Sequence, residues 1–278
     1  MTKLISLIKL AFGILGTFFL IQILFGLPLI LIFKIDILGR GVTRGLILIN
    51  IFTELVVIWF YLDKYKYFYK LIDNFKKNIK FQLLVNTLLS ITIPLLLYFI
   101  LYKFNNGIFV KSSTDIKTQF GYFISILILA TFEEILCRFI LLEKFSTIGN
   151  KFISITISSL FFAILHLGNP GITILAFVNL FLFGFLLSLI YFKTKDLLLI
   201  SFIHFGWNYT IGCIIGSNVS GMKFSSFYSY IGGASSYLDG GKFGIEGSPI
   251  TLLSLVLIIT IYSIFTKKLE DKLTTTNV

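Results

Sequence analysis

The amino-acid sequence predicts an all-α fold: a polytopic membrane helical bundle of about eight transmembrane helices, with its functional site buried between them. Three observations predict it. Of 278 residues, 56% are hydrophobic and only 13% charged, whereas a water-soluble domain carries about 25% charged residues. The mean hydropathy is +0.94. The apolar residues also fall into runs near the roughly 20 residues that a spanning helix needs.

Taken in order, the spans are 6–33, 44–62, 81–101, 119–142, 147–168, 171–192, 197–216 and 249–266. The first opens with Lys3 and Lys9 in the manner of a signal peptide, but its apolar run is too long and lacks a small-residue cleavage site, so it reads as a helix. Pro28 and Pro94 fall inside spans, where neighbouring helices can satisfy the freed carbonyls, so kinks are expected there rather than ends. Residues 1–118 form an N-terminal unit of three helices with a basic loop, 119–216 a core of four helices, and 217–278 a last helix preceded by a long segment. That segment, Ser217 to Ser248, is rich in Gly, Ser and Tyr and ends GGKFGIEGSP. It reads as a flexible connector, although loops over membrane sites can act as lids.

The net charge of +11 has a membrane explanation. With eight spans, the N-terminus, the even-numbered loops and the C-terminus share one side, which holds 15 of the 24 Lys and Arg; the other side holds 8, and Arg138 lies in a helix. The positive-inside rule then places both termini in the cytoplasm and the Ser217–Ser248 segment outside. No patch of interleaved basic and aromatic residues suggests nucleic acid. Cys137 and Cys213 lie in apolar runs, where thiols pack as small hydrophobes, and imply no disulfide framework.

The stretch TFEEILCRFILL, residues 131–142, puts three charges in a spanning helix. A charged side chain at bilayer depth costs about 3 kcal/mol on insertion scales and defaults to a functional hypothesis. Glu134 and Arg138 are four apart, acid first, the favourable order for an ion pair along one helix face. Glu133 lies about 100° around the helix from Glu134 and has no partner of its own in this stretch. Both histidines of the chain also fall in spans. His166 ends SLFFAILHLGNP, one turn after Phe162 and just before the GNP break; His204 lies in SFIHFGWNYT, one turn before Asn208.

One unpaired carboxylate, two imidazoles and a carboxamide suit hydrolysis by activated water. A carboxylate in a low-dielectric site is a general base for water, and an imidazole can orient that water. The second imidazole and the Asn208 amide can donate to the oxyanion formed when water attacks a peptide carbonyl. Other hydrolytic designs lack their motifs: there is no GxSxG elbow and no HExxH.

The set EExxxR (Glu133, Glu134, Arg138), FxxxH (Phe162, His166) and HxxxN (His204, Asn208), in that order on successive apolar segments, resembles the CAAX-protease and bacteriocin-processing family of intramembrane endopeptidases, also called the Abi family. The likeness covers roughly Phe120 to Gly216, and the GGKFGIEGSP segment resembles bacterial members. It implies an intramembrane endopeptidase acting on a peptide or membrane-protein substrate in the lipid bilayer of the cell membrane. It assigns water activation to Glu133, the second hold on that water to His166, and the oxyanion site to His204 with Asn208; Glu134, Arg138 and Phe162 support them. Glu133, His166 and His204 also make up a possible two-histidine, one-carboxylate Zn2+ site, but similarity to glutamate-dependent members favours no metal. Two alternatives use the same residues: a proton- or ion-coupled transporter, or a non-enzymatic bacteriocin-immunity or partner-binding protein. Asn208, one turn after His204, suits an oxyanion donor and has no evident place in a relay.

Overall fold

A computed structural model describes residues 2–26, 44–75, 81–147 and 150–275. The chain is a multi-pass all-α membrane bundle. Its helices are α1 (Thr2–Ile21, continued by a π-helical turn Gln22–Gly26), α2 (Arg44–Tyr65), α3 (Phe68–Phe75), α4 (Phe81–Phe104), α5 (Ile116–Glu134), α6 (Glu143–Ser146), α7 (Lys151–Leu165), α8 (Ile174–Thr194), α9 (Leu197–Tyr209), α10 (Ser236–Asp239) and α11 (Pro249–Thr275). Five described helical stretches are long and apolar enough to cross a membrane: 5–24, 83–104, 174–194, 197–215 and 249–266; Lys151–Leu165 is a shorter apolar helix. With α2 and α5, these give eight main helices among the described residues. The expected kink at Pro28 and the loop cations Lys34, Arg40, Lys76, Lys77 and Lys80 lie outside the described residues. Pro94 sits within α4, which is helical on both sides of it.

The helix starts follow local sequence. Asp115, Asn150, Thr173 and Asp196 each accept a hydrogen bond from a backbone N–H three residues on, capping α5, α7, α8 and α9. Packing puts α9 at the centre, against α5 and α4, while α8 lies between α7 and α11, and α2 packs on α5. Gly206 makes the α9–α4 approach close, since a Cβ there would collide with the Ser90 hydroxyl. Outer faces carry large exposed apolar side chains such as Phe12, Leu96, Leu253 and Phe265, which lipid rather than water accommodates.

The two ends of the bundle are tied separately. At one end Glu143 pairs with both Lys195 and Lys70, and Asn74 bonds the Lys195 carbonyl and the Leu197 N–H. At the other end β1 (Ile108–Lys111) pairs antiparallel with β2 (Tyr228–Ile231), and Asn169 donates to the Ser220 carbonyl. The Ser217–Ser248 segment is therefore not the loose connector that its composition suggests. Beyond β2 and α10 it forms two 3-10 turns, Gly241–Phe243 and Ile245–Gly247, with Phe243, Ile245 and Glu246 buried. Its glycines are turn-makers: Gly240 and Gly244 have φ of +80° and +91°, and a Cβ on either would strike a backbone carbonyl. The Glu246 carboxylate holds the segment down by accepting from Trp207 Nε1 and from the Ser220 N–H and hydroxyl, while Asn179 of α8 donates to the Glu246 and Ser248 carbonyls.

Candidate active site

The site is built on α5 and α9, and both helices change geometry there. After Glu134 the chain winds as a π-helix through Ile135–Leu142, and after Tyr209 it does so again through Thr210–Ile215. Such widened turns cluster at functional sites because they re-aim side chains that regular spacing would misplace. Residues 134–142 are all buried, so the helix is enclosed on every side.

Arg138 is fully buried and donates through Nη1 to Glu134 Oε1 at 2.9 Å and through Nη2 to the Gly184 carbonyl at 2.9 Å. Its guanidinium carbon lies 4.8 Å from the centroid of the Phe162 ring, a cation–π contact strengthened by exclusion of water. Gly184 permits this approach, since a Cβ there would press on Phe162, Ser159 and Arg138. Glu134 Oε1 also takes His204 Nδ1 at 3.0 Å. An ionised carboxylate only accepts, so Nδ1 carries a hydrogen, and Nε2 turns toward Glu133 Oε2, 3.7 Å away. That Glu133 oxygen is buried and has no hydrogen-bond partner.

His166 follows the last residue of α7. Its Nδ1 bonds the Phe162 carbonyl at 2.9 Å; a carbonyl only accepts, so Nδ1 carries the hydrogen and a neutral ring keeps Nε2 as an acceptor. The Phe162 ring lies between the two imidazoles, 4.8 Å from His166 and 5.6 Å from His204 between centroids. Phe162 is thus a shared wall of the site and not only a packing residue of α7. Phe183 closes another side, 5.5 Å from both His204 and Trp207.

The structure accordingly joins Glu133, Glu134, Arg138, His204 and Phe162, and places His166 on the same aromatic ring. Asn208 is half-buried one turn beyond His204, and its side chain makes no hydrogen bond among the described residues. Glu133, His166 and His204 do not fit the zinc arrangement as they stand: among the described residues no three His, Cys, Asp or Glu side chains group as metal ligands. Three buried acids, Glu54, Asp239 and Glu246, escaped the sequence reading. Glu246 links the outer segment to Trp207; its signal, an acid amid glycines, is weak. Glu54 of α2 is 3% exposed, and its signal was plain, an acid within LILINIFTELVVIWFYL.

No curated protein matches the chain. Residues 116–210 match the family described as type II CAAX prenyl endopeptidase Rce1-like, a stretch that opens with α5 and closes just past Asn208. Over that stretch, then, the chain is similar to the Rce1-like CAAX endopeptidases, the likeness to which its glutamate, histidine and asparagine motifs also point.

Proposed function

We propose that the protein is an intramembrane endopeptidase that hydrolyses a peptide bond with water activated by Glu133. The observation that carries this reading is the unequal state of two adjacent carboxylates. Glu134 is committed to Arg138 and His204, while Glu133, one residue earlier, has a buried oxygen with no partner beside an imidazole nitrogen. Two carboxyls of one sequence pair held in different surroundings take different roles.

In this mechanism Glu133 takes a proton from a water that His166 Nε2 also holds, and the oxygen attacks the scissile carbonyl. His204, protonated on both ring nitrogens, donates through Nε2 to the developing oxyanion, and Asn208 donates beside it, in a setting from which bulk water is excluded and donors count for more. Glu133 then returns the proton to the leaving nitrogen as the C–N bond breaks. Glu134 and Arg138 hold the imidazole of His204 in place. Every step uses this chain's own side chains and water.

The test compares membranes carrying the wild type with membranes carrying Glu133→Gln, a substitution that keeps size and polarity but removes the base. Both are given a farnesylated CAAX-type peptide and a set of unmodified transmembrane peptides, and new termini are read by mass spectrometry. New termini should form in the wild type and fall by roughly 10²-fold or more in the variant. Identical termini from both preparations would overturn the reading.

A further inference from the structure

Glu246 lies outside the stretch that matches the protease family, and it is buried. Three donors converge on its carboxylate: Trp207 Nε1 on Oε1 at 2.9 Å, and the N–H and hydroxyl of Ser220 on Oε2. Its backbone carbonyl accepts from Asn179 Nδ2 at 2.8 Å. Glu246 therefore grips two helices at once, α9 by its side chain and α8 by its main chain.

Helical spacing carries both grips toward His204. On α9, Trp207 follows His204 by three residues and is the chain neighbour of Asn208; on α8, Phe183 follows Asn179 by four. Each spaced pair shares a helix face. The Trp207 and Phe183 rings lie 5.5 Å apart, and Phe183 meets the His204 imidazole at 5.5 Å with 71° between the planes. Trp207, Phe183 and His204 are all buried. The orientation of a buried indole is set by the partner its N–H meets, and in a close-packed interior a displaced ring moves its neighbours.

The bond to Glu134 holds His204 by Nδ1 alone. Tilt of the imidazole about that bond is limited by the rings that pack on it, Phe162 and Phe183. We infer that Glu246 is a positioning residue of the hydrolytic site: by orienting Trp207 behind Phe183, it sets where His204 presents Nε2 to the oxyanion. The inference rests on the reading of His204 as an oxyanion donor. A misplacement of about 1 Å at such a group can cost roughly 10²-fold in rate even when its cause lies far from the chemistry.

The first readout needs no substrate. The chain has two histidines, so the ring C–H resonances of histidine-labelled protein in bilayer discs form two sets, which His166→Gln tells apart. Those of His204 feel the ring current of Phe183. Glu246→Gln keeps the volume but turns an amide NH2 toward groups that donate. It should displace the His204 resonances and lower kcat about tenfold or more, with KM unchanged, on whichever peptide the wild type cleaves. Trp207→Phe keeps an aromatic ring and removes the Nε1 donor; it should do the same, and the double variant should lose no more than the larger single loss. Tyr230→Phe removes a different bond within the same segment, to Asp239 at 2.7 Å, and should leave both readouts at their wild-type values. Unmoved His204 resonances or wild-type kcat in Glu246→Gln would overturn the inference. So would equal changes in Tyr230→Phe, which is what general loosening of the segment gives. If Glu246→Gln does not accumulate in membranes, Trp207→Phe decides by the same criteria. Failure of the hydrolytic reading is a separate result: undiminished turnover in Glu133→Gln.

Discussion

At the scale of single residues, the site depends on which charge each group is left with. Arg138 and Glu134 are fully buried and bonded to each other, so removing one strands the other, at about 3–5 kcal/mol for a buried pair. Glu134→Ala and Arg138→Ala should therefore lower the amount of protein in membranes, measured by immunoblot against total expression, whereas Glu133→Gln should leave it unchanged. Wild-type abundance in both pair variants would show that the ion pair does not hold the bundle. Asn208 separates the two chemistries that its motif allows. As an oxyanion donor, its replacement by Ala should slow the chemical step by up to roughly 10²–10³ with little change in KM, and activity should survive prolonged chelation. Next to a zinc ligand, the same loss typically costs only about 10–100-fold, and chelation would stop hydrolysis until zinc was returned. The glutamates, histidines and Asn208 were legible because charges and imidazoles stand out in apolar runs. Glu54 carries the same signal, an acid in an apolar run, but has no partner at helical spacing.

At the scale of elements, hydropathy gave the helices and composition misled about what joins them. The expected spans 81–101, 171–192 and 197–216 became helical stretches 81–104, 174–194 and 197–215, because caps and apolar length are local properties. The π-helical stretches had no signal, since widening a turn depends on what packs against it. The Ser217–Ser248 segment misled because its glycines and serines serve tight turns held by three-dimensional partners, Trp207 and Asn179 among them. The ties between elements at the other end are electrostatic and titrate. Burial works to raise the Glu143 carboxyl, but its hydrogen bond to Lys195 and the charges of Lys195 and Lys70 outweigh this and hold it below the usual range. A carboxyl lowered in the folded protein stabilises it above its unfolded value, and that contribution is lost as pH falls through the lowered one. Thermal unfolding of wild type and Glu143→Gln should thus differ most at neutral pH and converge on acidification. A Tm difference that grows toward low pH would contradict this sign.

At the scale of the whole molecule, the two sets of ties determine how the chain is threaded. Lys70, Glu143 and Lys195 come from the second, fourth and sixth connections and meet at one end. The strand Ile108–Lys111, Asn169 and the Ser217–Ser248 segment come from the third, fifth and seventh and meet at the other. This alternation is a property of the fold and holds whichever end faces the cytoplasm. The choice of end is an expectation from the sequence: with eight spans the side of Lys70, Glu143 and Lys195 is assigned 15 of the 24 Lys and Arg and the opposite side 8, and an excess of cations is retained inside. A reporter active only outside the cytoplasm should be silent when fused after Val278 and active when inserted near Ser225. The reverse pattern would turn the bundle over and place the Glu246-anchored segment on the cytoplasmic side, so that substrates would meet it from within. Activity at both positions would be worse for this account, because it would break the alternation on which the shared ends, and with them the meeting of α5 and α9 at one site, depend.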